Sequence, residues 1–152
     1  MSHWKDLLLE IKKIEEKYES SLRNPACDRE IMKMKNNVEQ NFISVALPSS
    51  YIRFLQTTNG LDFNGLVIYS VDQVFLEKKE APGFQGFIET NNLWHENDWQ
   101  KQYIFYGDSD TAWYGYDQVE NMYVELDKPS GTLIQTFESF DSMLSCAFET
   151  IL

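Results

Sequence analysis

The chain has 152 residues, 43% of them apolar and 14% aromatic, with 24 acidic against 13 basic side chains. Such a chain fills a core without disulfide or metal staples, which excludes wholesale disorder. Its net charge of −11 opposes nucleic-acid phosphates and anionic lipid; it favours a basic partner, or serves only solubility.

The imbalance is local. Residues 1–35 hold eight basic and seven acidic side chains, whereas residues 36–152 hold five and seventeen. No apolar run reaches the roughly 18 residues that would cross a membrane. Met1-Ser2-His3-Trp4-Lys5-Asp6 places charges where a signal peptide is apolar. The expectation is a soluble, cytoplasmic chain forming one domain over 1–152. Cys27 and Cys146 stand far apart without CxxC spacing, so both read as reduced and structural.

Trp4, Leu7, Leu8, Ile11, Ile14 and Tyr18 recur at steps of three and four, which predicts an amphipathic helix over 3–19. Asn24-Pro25 ends it. Asp28 is the expected cap of a second helix over 29–41, with Ile31, Met34, Val38 and Phe42 inward. Pro48-Ser49-Ser50 opens a short third helix carrying Tyr51, Phe54 and Leu55, and Asn59-Gly60 closes it as a left-handed cap. Leu66–Tyr69 reads as a strand, 71–80 is ambiguous, Ala81-Pro82-Gly83 is a loop, and 86–99 reads as helix. Strands follow over 102–106, 112–116 and 121–126, the last with period-2 alternation. Asp127-Lys128-Pro129-Ser130-Gly131 is a turn, and 138–150 is helical, with Phe137, Phe140, Met143, Leu144, Ala147, Phe148 and Ile151 in one stripe. Helices, a strand meander and a closing helix make an α+β domain with an antiparallel sheet.

Few residues offer catalytic chemistry. Phe105-Tyr106-Gly107-Asp108-Ser109 is similar to the nucleophile block of GDSL esterases, but a serine nucleophile needs a histidine base. In that family the base lies downstream, whereas both histidines, His3 and His95, precede Ser109, and position 110 is Asp rather than Leu. Asp108, Asp110 and Asp117 suggest a hard-cation site without its closing glutamate or glycine. His95 and Asp98 lack the further nitrogen or sulfur ligands that zinc needs. No phosphate-binding glycine loop occurs. The expectation is no catalytic residue, no metal and no cofactor.

Val38-Glu39-Gln40-Asn41-Phe42, Leu47-Pro48-Ser49-Ser50-Tyr51-Ile52-Arg53-Phe54-Leu55 and Asn59-Gly60 closely resemble the opening signature of the SUKH superfamily. Its key positions here are Leu47, Pro48, Tyr51, Phe54, Asn59 and Gly60. Phe63–Tyr69 looks like the family's first strand after the helix. Tyr103–Asp110 with Trp113–Asp117 resembles its central hairpin, and Phe137–Leu144 its closing helix, so the resemblance spans about 28–150. It implies a bacterial immunity protein of a polymorphic toxin system. Such a protein is a cytoplasmic, non-catalytic binder of a cognate toxin, often a nuclease. The alternative is a regulatory or scaffold protein of the same fold with a housekeeping partner. The expected contact surface is the hairpin 108–120, where Asp108, Asp110, Asp117 and Glu120 accompany Trp113, Tyr114 and Tyr116. Trp94, Asp98 and Trp99 offer a similar mix on the stretch 84–99.

Overall fold

The computed structural model describes residues 3–42, 46–78 and 85–152, and its architecture is α+β, with five α-helices and six strands among those residues. They group into two units. One holds Met1–Leu22, Asp62–Val67 and Gln102–Leu152; the other holds Arg23–Leu61 and Ile68–Lys101.

The first unit is built on the sheet. Strands β1 (Leu61–Phe63), β2 (Leu66–Ile68), β3 (Tyr103–Asp108), β4 (Ala112–Asp117), β5 (Met122–Asp127) and β6 (Leu133–Phe137) lie side by side in chain order. Neighbours from β3 to β6 run antiparallel. β1 and β6 are absent from the sequence expectation. Phe63–Tyr69 is therefore not one strand: Asn64 and Gly65 have φ of 49° and 85°, the backbone of a primed two-residue hairpin turn. β6 carries four exposed residues in a row, so no buried stripe marks it in the sequence.

Helix α1 (His3–Lys17) packs on the last helix, α5 (Phe140–Ile151). Trp4, Leu7, Leu8 and Ile11 are buried on α1, and Phe140, Met143, Leu144, Ala147 and Phe148 on α5. Burial of each large apolar side chain contributes roughly 1.5–3 kcal/mol. The Trp4 indole N–H donates to Asp141 at 2.6 Å, and His3 meets Glu149 at 2.9 Å. Tyr18 leaves the expected stripe: the helix stops at Lys17, Glu19 turns the chain at φ 61°, and Tyr18 is 74% exposed. The α5 cap is Ser139, whose Oγ accepts from the Ser142 N–H.

In the second unit, helix α2 (Asp28–Asn41) is capped by Cys27 rather than Asp28. Glu30 makes the difference: its carboxylate accepts the Cys27 N–H at 2.8 Å and the Glu77 N–H at 2.9 Å. Helix α3 (Ser49–Thr57) buries Tyr51, Phe54 and Leu55 completely, while Leu47 and Pro48 are half-buried. Its C-cap is Thr58, in extended backbone, so Asn59-Gly60 is not the left-handed cap expected. Those two residues do other work beyond the helix. Asn59 Oδ1 accepts the Val71 N–H at 2.8 Å, and Gly60 turns at φ 86°.

The ambiguous stretch contains a 3-10 turn at Gln73–Phe75; the loop expected at 81–83 lies outside the described residues. The helix expected over 86–99 is shorter, α4 (Phe87–Trp94), with a separate 3-10 turn at Asp98–Gln102. Phe87 rests between Phe42 and Tyr51, with ring centroids at 6.2 and 5.6 Å. Asp72 caps α4 from outside, its two oxygens accepting the Ile88 and Glu89 N–H groups at 2.9 Å each.

Candidate partner-binding surfaces

In the first unit the expected hairpin divides into core and rim. β4 is flanked by β3 and β5, and Ala112–Gly115 are all buried. Trp113 and Tyr114 are 4% and 2% exposed, so their rings serve packing rather than an open contact face. Trp113 lies against Phe105 at 6.1 Å, with Lys128 Nζ 5.5 Å over its ring. Asp108 is buried and pairs with Lys128 at 3.0 Å. Asp117 is also buried, and its Oδ1 accepts the Val119 and Glu120 N–H groups, holding the β4–β5 turn. Asp110 and Glu120 are the two exposed carboxylates of the set. The run Ala112-Trp113-Tyr114-Gly115, with no polar residue in it, is itself the sign of a strand covered on both faces.

A concavity of about 580 Å³ opens where the end of β4 and the start of β5 meet the end of β6. Tyr116, Tyr123 and Phe137 line it, with Glu138 and Asn121 at its rim. Tyr116 pairs with Tyr123 and Tyr123 with Phe137 in the sheet register, so three aromatic residues occupy one cross-strand row. The Tyr116 and Tyr123 rings meet edge to face at 5.0 Å. Burial, helped by the Tyr116 phenol and the Asp141 carboxylate, pushes the Tyr123 phenol up to about 12. Tyr123, Phe137 and Glu138 are absent from the sequence-derived surface. The row depends on strand register, and β6 gives no alternation signal.

In the second unit, Trp94 is half-buried and its indole N–H donates to the Tyr69 phenol at 2.9 Å. Asp98 and Trp99 are exposed, with Asp98 bound to Lys101 at 3.0 Å. A groove of about 400 Å³ runs between the 3-10 turn and α4, lined by Asp72, Val74, Phe75, Glu89, Leu93 and Glu96 among others. Val74 and Leu93 are exposed aliphatic side chains framed by carboxylates. Burial pushes the Asp72 carboxyl up, against its two backbone N–H bonds. This groove is a second residue set that the linear pattern does not mark, because the 3-10 turn and α4 are distant in sequence.

The signature residues have a structural account on this scaffold, with Tyr51 and Phe54 in the core and Asn59 and Gly60 at a tight crossing. A model of the SMI1 / KNR4 family (SUKH-1) matches residues 25–146, about four fifths of the chain. The chain belongs to the SMI1 / KNR4 family. No curated protein matches it significantly. SMI1 / KNR4 domains are generally non-catalytic, and their membership points to protein–protein interaction.

Ser109, His3 and His95 each have structural partners in this SMI1 / KNR4 domain. Ser109 Oγ accepts the Thr111 N–H in the β3–β4 turn. His3 meets Glu149, and His95 packs edge to face on Phe42 at 5.6 Å. Among the described residues no group of three or more His, Cys, Asp or Glu side chains is arranged to hold a metal ion, and no helix is long and apolar enough to cross a membrane.

Proposed function

We propose that this SMI1 / KNR4 protein is a bacterial immunity protein. It neutralises a cognate secreted toxin with a basic surface, such as a nuclease, by direct contact and without catalysis of its own. It acts in the cytoplasm, where a nuclease would otherwise reach its substrate. The observation that carries this reading is the charge pattern on a binding-module fold: seventeen acidic against five basic side chains over 36–152. Such a field raises the encounter rate with a cationic protein and repels nucleic acid. The exposed candidates for contact are Asp110 and Glu120 on the first unit, and Trp99, Asp98, Leu93 and Val74 on the second. Trp113, Tyr114, Asp108 and Asp117 contribute by holding the hairpin that presents Asp110 and Glu120.

Co-expression with the product of the neighbouring open reading frame tests the reading. The expected result is rescue of growth and recovery of a stable complex. A toxic neighbour that is neither bound nor neutralised would overturn it.

A further inference from the structure

The row Tyr116, Tyr123 and Phe137 ends at β6, the last strand of the sheet. Beyond Phe137 no further strand follows among the described residues, so the cavity is approached along that edge. Aromatic faces carry negative quadrupole density, and an adjacent carboxylate adds full charge. The surrounding chain reinforces the sign. Residues 102–152 contain nine acidic side chains and one basic one, Lys128, and α1, packed on α5, adds four of each sign and so leaves the excess unchanged. Lys128 pairs with Asp108, just past the far end of β5 from Tyr123; five residue steps along the strand set their backbones about 16 Å apart. The cavity is also large enough for a planar head group, at about 580 Å³.

We propose that this pocket receives an arginine side chain of the partner protein, its guanidinium seated against the Tyr116–Tyr123–Phe137 row and paired with Glu138. Arginine fits better than lysine because its planar, weakly hydrated head stacks on rings while its fork of donors meets a carboxylate. The Tyr123 phenol remains neutral through the physiological range, so its ring keeps the neutral form's polarity. The inference rests on the proposed function for the partner's identity, while the pocket's chemistry is independent of it.

The test uses the full chain and two small probes, N-acetyl-arginine amide and its neutral isostere N-acetyl-citrulline amide, followed by NMR of aromatic ring resonances. Saturable shifts at Tyr116, Tyr123 and Phe137 are expected with the arginine probe, and binding about fivefold weaker or worse with the citrulline probe. Glu138→Gln, an exposed substitution, is expected to bring arginine binding down to the citrulline level. Equal responses to both probes, or shifts confined to rings outside this row, would overturn the assignment. If the arginine probe binds here and the neighbouring gene product does not, the pocket stands and the toxin reading falls.

Discussion

The phenol of Tyr51 donates to the backbone carbonyl of Tyr69 across 2.6 Å, inside the core of the second unit. Helix α3 is thereby tied to the segment after β2, and the Trp94 indole N–H joins the same residue through its phenol. Tyr51 is thus a buried hydrogen-bond donor that serves the fold of this unit. Tyr51→Phe leaves the Tyr69 carbonyl without that donor and is expected to cost about 1–3 kcal/mol. Phe54→Ala, which empties a fully buried site, is expected to cost about 3–5 kcal/mol. Urea denaturation measures both, and an unchanged midpoint for either variant would remove the structural account of α3.

Glu30 gives a pH-dependent prediction. Burial raises its carboxyl, but the Cys27 and Glu77 N–H groups outweigh that and leave it below the usual carboxylate range. A carboxyl lowered in the folded state stabilises above its unfolded value of about 4.3 and loses that contribution as pH falls through the folded value. Glu30→Gln is therefore expected to cost about 1–3 kcal/mol near neutral pH, with the gap to wild type closing in acid. A gap that stays constant down to acid pH would contradict this.

Gly86 lies where Asp72 needs room. A Cβ at this position would overlap the Asp72 carboxylate, which caps α4 through Ile88 and Glu89. Gly86→Ala is expected to displace the cap and lower stability by about 0.5–2 kcal/mol. Amide exchange at Ile88 and Glu89 should accelerate; unchanged protection there would show that the carboxylate holds its place.

Much of this architecture is written in local patterns. Leu7, Leu8 and Ile11 on α1, and Met143, Leu144, Ala147 and Phe148 on α5, are buried as their helical spacing demands. Val124 and Leu126 are buried as the alternation on β5 demands. What escaped has identifiable reasons. β1 is three residues long and discernible chiefly through the Asn64-Gly65 turn; β6 is an exposed edge. Cys27 displaces Asp28 as a cap because Glu30 reaches two backbone donors, one of them 47 positions away. The hairpin's aromatic residues resemble contact anchors in sequence, but β4's central place in the sheet buries Trp113 and Tyr114. The Tyr116–Tyr123–Phe137 row depends on register across three strands, which no single segment encodes.

Elemental analysis gives a separate check on the binding reading. After extensive dialysis the protein is expected to carry no stoichiometric transition metal. Asp108 is paired with Lys128 and Asp117 holds a turn, so neither aspartate is arranged as a ligand set with Asp110. One metal ion retained per chain would contradict this.

On the proposed function, an acidic surface of this domain captures a basic protein. The most direct measurement of that capture is the association rate with the neighbouring gene product across ionic strength, for wild type and for the Asp110→Asn, Glu120→Gln variant. Both substituted side chains are exposed, so the variant should keep the wild-type fold. Association is expected to slow as salt rises, by about tenfold or more between low and high salt, and the variant to associate more slowly at low salt with a shallower salt dependence. A wild-type rate that is independent of salt, or that rises with it, would rule out capture by charge.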